Sequence, residues 1–246
     1  MKENIMKKNI CKEYCYQKTR SKVKQINYKM DKLELVIFDM DGVLTDIISS
    51  WKFIHDYFHT TNEKSVSDYV KGKINDKEFI KRDAMLWQEN GKPVKKERLV
   101  EILSDVPIMK GAKECVSALN INNVKTAIIS AGLDVLANRI AKDLDINYAY
   151  SNGIKTDDKG YLIGDGIVNV QLKYKEKSVK RLAKKLNIKN NRIATVGNSC
   201  YDIPMFAAAG IGIAFNPDDE CVKKAADYVV EKKDLNLITP ILKKFF

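Results

Sequence analysis

Two aspartates, Asp39 and Asp41, stand directly behind the apolar run Leu35-Val36-Ile37-Phe38. A bare carboxylate at such a place is expensive to bury unless something positive pairs with it. Other polar residues come after other apolar runs in the same way. Ser130, Ala131 and Gly132 come after the run 125–129, and Asn198 and Asp202 come after the run 192–196. Lys175 lies ahead of the helical pattern that precedes the latter run. Two acids, a hydroxyl on a Gly-containing turn, a cation and a further acid form a set suited to a phosphate and a divalent metal. Phosphate needs N–H donors and positive charge, which Ser130, the amides of Ala131 and Gly132, and Lys175 can supply. Mg²⁺ takes oxygen ligands and usually only one or two carboxylates. Asp39, Asp41, Asn198 and Asp202 are the candidate metal residues. One aspartate can then attack phosphorus while a second carboxyl protonates the leaving alkoxide and later deprotonates water. Asp39 and Asp41 are two apart, so they begin on the same side of a strand.

Positioning such a set requires strand ends that converge. From Leu33 onward, short apolar runs alternate with helical patterns: 35–38, 125–129, 192–196, 211–215 and 228–230 against helices over 111–120, 133–144, 202–209, 218–226 and 234–244. Val179, Leu182, Ala183 and Leu186 mark one more helix, at i, i+3, i+4 and i+7. Runs apolar on both faces suit strands buried on both sides. The alternation predicts an α/β fold: a doubly wound, Rossmann-like parallel sheet whose ligands bind past the carboxyl ends of its strands. The segment "GIKTDDKGYLIGDGIVNV" is broken by Gly and Asp clusters and predicts a β-hairpin. Residues 47–106 interrupt the alternation with helical stripes and no good strand. They predict a small helical cap inserted after the first strand, with the core in 31–46 and 107–246.

"FDMDGVLTD", "IISAG", "KEKSVKRLAKKLNI" and "VGNSCYDIPMFAAAGIGIAF" resemble, in order and spacing, the four motifs of the haloacid dehalogenase-like (HAD) phosphohydrolases. The likeness runs over 33–246 and is nearest to the phosphoserine phosphatase group, on its short helical cap, its hairpin and "GKINDKEFIKRD". The resemblance implies a Mg²⁺-dependent phosphatase acting on a small phosphorylated metabolite. It makes Asp39 the nucleophile, Asp41 the general acid/base, and Ser130 and Lys175 the phosphate grip. Lys173 and Lys177 compete for the lysine role. Apolar helix positions four and seven residues on, Val179 and Leu182, favour Lys175.

Two departures stand out. The family's Gly-Asp-x-x-x-Asp is here Gly197-Asn198-Ser199-Cys200-Tyr201-Asp202, which removes one negative charge and predicts weaker Mg²⁺ binding. The cap glutamate and arginine expected of a phosphoserine reader fall near 48–50, where no acid sits, and at Lys81, with Arg82 adjacent. Trp51, His55 and His59 are spaced by four on the first cap helix. They are read as packing first, with His55 a possible substrate contact and a zinc pair less favoured, since no acidic partner lies between the histidines.

Composition bounds the rest. The chain has 246 residues, 45% of them hydrophobic, and a net charge of +11. Residues 1–29 hold nine Lys/Arg against two Glu, so most of the excess lies in what reads as a basic flexible extension, 1–30. No apolar run approaches the roughly 20 residues of a membrane span. Five scattered cysteines suit free thiols in a cytoplasmic setting. The expected protein is a monomer or homodimer with no specific nucleic-acid partner. Two alternatives remain: a catalytically weak module tethered to RNA or membrane by its basic tail, and a phosphotransferase to an alcohol acceptor.

Overall fold

The computed structural model describes residues 30–246, so the reading of the first 29 residues lies outside the described part. The chain opens with β1 (Leu35–Phe38). The insert comes next: α1 (Ser50–Tyr57), α2 (Glu63–Val70), α3 (Asp76–Leu86), the small hairpin β2 (Gln88–Glu89) and β3 (Lys92–Pro93), and α4 (Lys96–Ser104). Then come α5 (Ala112–Ile121), β4 (Lys125–Leu133), α6 (Asp134–Leu144), β5 (Tyr148–Thr156), β6 (Leu162–Ile167) and α7 (Lys175–Leu186). The chain closes with β7 (Ile193–Gly197), α8 (Ile203–Phe206), β8 (Ile211–Phe215), α9 (Glu220–Ala225), β9 (Tyr228–Val230) and α10 (Thr239–Leu242).

Seven strands form one sheet in the order β6-β5-β4-β1-β7-β8-β9, and only the β5–β6 pair is antiparallel. The fold is therefore the doubly wound α/β sheet that the alternation of runs predicts. The chain leaves β1 toward β4 on one side and later returns to β7 on the other, which opens a crevice at the carboxyl end of β1. Both faces of the sheet are packed, and this is why β1 has no polar position. Val36 and Phe38 join one hydrophobic cluster, while Leu35 and Ile37 join the cluster that contains Val179 and Leu182 of α7. Register then sets the site: Phe38 lies opposite Ile128 of β4 and Val196 of β7.

Several elements differ from the sequence reading. β4 runs on through Ser130, Ala131 and Gly132 as extended chain, with its register to β5 shifting between Ile129 and Leu133, and α6 starts only at Asp134. β5 begins five residues before the expected hairpin, because its first half pairs with β4 and its second half with β6. The insert does hold a hairpin, turned by Asn90 and Gly91, both at positive φ. Its core residues Ile80, Ala84, Trp87 and Leu99 share one continuous cluster with Phe38, Leu133 and Ile154 of the sheet. Backbone bonds from Leu162 N–H to Val94 C=O (3.0 Å) and from Lys96 N–H to Gly160 C=O (2.9 Å) stitch it to the β5–β6 hairpin. Among the described residues no helix is long and apolar enough to cross a membrane.

Candidate active site

Asp39 is one residue past Phe38, and its N–H donates to Val196 C=O at 2.9 Å, so the ladder continues into the site. Its carboxylate is nearly buried, with Oδ1 3.0 Å from Lys175 Nζ. The same ammonium lies 2.7 Å from Asp202 Oδ1. Lys175 is the first residue of α7 and is 2% exposed, with Val179 and Leu182 of the same helix packed on the sheet. The neighbouring lysines go elsewhere. Lys173 Nζ donates to Tyr69 C=O at 2.7 Å, and Lys177 Nζ donates to Gln171 Oε1 at 3.0 Å.

Asp202 Oδ2 accepts the N–H groups of Asn198 and Ser199, each at 3.0 Å, which folds the 198–202 loop back over the end of β7. Gly42, at φ +78°, passes so close to this loop that an added Cβ would lie 2.5 Å from Asn198 Nδ2. Asp41 Oδ2 accepts both the N–H and the Oγ–H of Ser50, each at 2.9 Å. Ser50 Oγ in turn accepts Leu133 N–H at 3.1 Å, tying the start of α1 to the end of β4. A Cβ at Gly132 would lie 2.9 Å from Asp41 Oδ2 and closer still to Ser50 Oγ, so only glycine admits this approach. Ser130 Oγ is buried and accepts Gly132 N–H at 3.2 Å. The Ala131 carbonyl is pinned by Trp51 Nε1 (3.0 Å) and Asn152 Nδ2 (3.3 Å).

These strand ends therefore gather Asp39, Asp41, Ser130, Ala131, Gly132, Lys175, Asn198 and Asp202 in one enclosed place. A sequence profile of haloacid dehalogenase-like hydrolases matches residues 33–210. A phosphoserine phosphatase from Idiomarina loihiensis is 31% identical over 85% of this chain and 94% of its own length. One from Archaeoglobus fulgidus is 30% identical over 85% of this chain, which spans 60% of that relative. A solved phospho-aspartyl intermediate analogue of phosphoserine phosphatase superposes with TM-score 0.72 at 27% identity, over 86% of this chain and 99% of that one.

The chain belongs to the haloacid dehalogenase-like hydrolases. Among them it is placed with the HAD-type phosphatases. The electrostatics of its site arise from burial. Burial pushes the Asp39 carboxyl up to about 7, and the nearby Asp202 and Asp41 charges add to this while Lys175 opposes it. Burial also raises Asp41, against the hydrogen bonds from Ser50. Burial works to lower Lys175, but the Asp202 and Asp39 carboxylates more than offset it and hold the ammonium above its ordinary value.

The residues present fit a hard, oxygen-ligated cation. Oδ1 of Asp41 is buried and accepts no hydrogen bond among the described residues, and Oδ1 of Asp39, also buried, has the Lys175 ammonium 3.0 Å away. Buried carboxylate oxygens without donors are what a cation satisfies. Among the described residues no three acidic, histidine or cysteine side chains suffice to hold an ion by themselves. The set therefore needs Asn198 Oδ1 or backbone oxygens, consistent with a Mg²⁺ site of few carboxylates.

The cap candidates stand apart from this cluster. His55 is 2% exposed inside the insert: Trp87 Nε1 donates to its Nδ1 at 3.2 Å, Thr60 Oγ1 lies 2.7 Å from that nitrogen, and Nε2 faces Asp83 Oδ2 at 3.3 Å. That is a packing and hydrogen-bonding position within the cap. His59 lies past the end of α1 at positive φ and is exposed, so the helical pairing with His55 does not form. Arg82 is held by Glu78 (2.9 Å) and Asp68 (3.0 Å), and Lys81 is exposed. Sequence reasoning missed Ser50, Asn152 and Asp218. The last could have been found by extending the search to the residues behind β8, just as Asn198 was found behind β7.

Proposed function

We propose that the chain hydrolyses small phosphomonoesters, with Mg²⁺ as cofactor, through a phosphorylated Asp39. The observation that carries this reading is the ammonium of Lys175 bridging Asp39 and Asp202 at the strand ends, with Asp41 as a second buried acid beside them. The solved relative that carries a phospho-aspartyl analogue supports it.

Ser130 Oγ, the amides of the 131–132 segment and Lys175 bind the phosphoryl oxygens. An Asp39 oxygen attacks phosphorus in line, and the bond from phosphorus to the substrate oxygen breaks. Asp41, whose carboxyl burial shifts toward the protonated form, gives its proton to the leaving alkoxide. As a carboxylate it then takes a proton from water, whose oxygen attacks the phosphorus and frees Asp39 and phosphate. When bound by Asp39, Asp41, Asn198 and Asp202, Mg²⁺ supplies charge that offsets the phosphoryl oxygens.

Asp39, Ser130, Lys175 and Asn198 are all nearly buried, so substrate entry requires the insert to open. No acid stands at 47–50 to meet a substrate ammonium, which argues for a substrate read by its phosphate and polar groups. We place the activity in the cytoplasm, on a small phosphorylated metabolite. Phosphate release from a panel that includes phosphoserine and sugar phosphates, with Mg²⁺ and with Asp39→Asn as control, tests this. Release by the wild type alone supports it; no release from any ester overturns it.

A further inference from the structure

The amide at position 198 leaves the site one carboxylate short of the family pattern, and the structure shows what stands beside it. Asn198 Nδ2 donates to Asp218 Oδ2 at 2.9 Å, and Asp218 N–H donates to the Asn198 carbonyl at 2.7 Å. A carboxylate can only accept, so this contact fixes which end of the amide faces Asp218. Oδ1 is left as the opposite terminus. Asp218 is itself held in place. Its neighbour Asp219 caps α9 through Val222 N–H at 2.8 Å and accepts Cys200 N–H at 3.0 Å, while Asn216 N–H donates to Val230 C=O at 2.7 Å. The loop behind β8 thus clasps the loop behind β7 through three hydrogen bonds at two successive residues, Asp218 and Asp219.

We propose that Asp218 is a positioning residue for cation binding: it takes the amide hydrogen of Asn198, presents Oδ1 to Mg²⁺, and supplies at the rim the negative charge that position 198 lacks. The proposal rests on the metal-dependent reading above. Its chemistry is that of an outer partner orienting a metal ligand. An unclamped asparagine can turn its NH₂ toward the ion, which repels it. A hydrogen bond to an anion forbids that rotamer and draws electron density onto Oδ1.

This reverses the effect expected of restoring the family residue. Asn198→Asp alone would set two carboxylates at hydrogen-bond distance, with Asp202 close behind, and like charges so placed disfavour one another. Restoring the family carboxylate requires Asp218→Asn at the same time.

The test uses the full chain, Mg²⁺ titration by calorimetry, and the thermal midpoint in EDTA. Asp218→Ala is expected to weaken the Mg²⁺ Kd by roughly tenfold or more. Asp218→Asn keeps an acceptor oxygen and loses less. Asn198→Asp lowers the midpoint in EDTA, and Asn198→Asp/Asp218→Asn recovers it together with Mg²⁺ affinity. An unchanged Kd in Asp218→Ala overturns the role of Asp218. So does an Asn198→Asp variant that binds Mg²⁺ more tightly with no loss of metal-free stability, and this arm holds even if the alanine variant does not fold. Wild-type protein that takes up no Mg²⁺ would instead overturn the reading of the site, together with the part Asp218 plays in it.

Discussion

Asp39, Ser130 and Asn198 each lie one or two residues past the level of Phe38, and the register of three parallel strands is enough to bring them together. In the insert, His55, Asp83 and Trp87 meet through side chains drawn from α1, α3 and the residue that ends α3. No backbone ladder joins them. One region is set by topology and crowds the carboxylates of Asp39 and Asp202 around the Lys175 ammonium. The other is set by packing and turns its polar groups on one another: Asn62 Nδ2 donates to Asp83 Oδ2 at 2.8 Å, and His55 Nε2 faces that oxygen at 3.3 Å. In the proposed reaction the sheet supplies the chemistry, while the insert gives access and fit. Changing a charge at the strand ends should therefore be far more damaging than changing one in the cap.

The largest effect belongs to Asp39, the nucleophile of the proposed reaction. Asp39→Asn keeps the shape and removes only the charge, so turnover should fall by roughly 10⁴-fold or more while the fold survives. Burst-free steady-state assays with circular dichroism check both halves. A pH dependence accompanies this. The Asp39 carboxyl is raised from an ordinary value near 3.8 to about 7, so the metal-free fold favours its protonated form. The stability tied to that proton is complete below the unfolded value and is lost as pH rises through about 7. In EDTA, the thermal midpoint of Asp39→Asn should overtake that of the wild type by a margin that widens from about pH 5 to about pH 8. A constant margin would mean that Asp39 is not strained by burial.

Lys175 comes next. Lys175→Met leaves Asp39 and Asp202 buried without their shared counter-charge, a loss of about 3–5 kcal/mol if the carboxylates stay ionised. The observable is a lower urea midpoint at pH 8, partly recovered at pH 5, where carboxyls can take protons. A variant as stable as wild type at both pH values would show that the ammonium is not the balancing charge.

How much of this was readable in the chain divides along the same line. β1, β7 and β8 were legible because burial on both faces leaves apolar residues throughout, with Thr195 of β7 the one polar position. Asp39, Lys175 and Asp202 were legible because strand ends are where such a sheet binds ligands. β5 was only half legible: Tyr148 to Asn152 alternate in size and polarity, and the strand changes partner midway. Ser50 was not legible as the donor to Asp41. Ser49 beside it has the same chemistry, and only the tertiary path of the chain decides that Ser49 caps α1 while Ser50 turns to the aspartate. The role of His55 was open for the same reason, since four-residue spacing does not say which side of a helix meets Trp87.

A smaller effect is expected where the two regions touch. Trp51 stacks on Trp87, with ring centroids 5.6 Å apart, and donates from Nε1 to the Ala131 carbonyl at 3.0 Å. It is the indole of the insert that reaches the 131–132 segment proposed to bind phosphate. Trp51→Phe keeps the aromatic packing and drops the hydrogen bond. One neutral bond nets about 1 kcal/mol of stability, and where that energy serves to hold the 131–132 segment in place kcat/KM should fall by up to roughly fivefold as well. A loss confined to stability would make Trp51 a packing residue only.

The smallest effect is predicted for Arg82, and it separates the two regions most sharply. Its guanidinium is taken up by Glu78 and Asp68, both within the insert, so it has no free fork to offer a substrate carboxylate. Exposed ion pairs of this kind contribute little, and Arg82→Gln should change KM by less than about twofold across the ester panel. If Arg82 instead leaves Glu78 and Asp68 to grip an anionic substrate when the insert opens, KM would rise steeply for esters that carry a second negative group and stay flat for neutral ones. That pattern, measured on phosphoserine against an uncharged alkyl phosphate, would move part of substrate reading onto α3 and show that a paired cap cation is a reserve for binding rather than a surface brace.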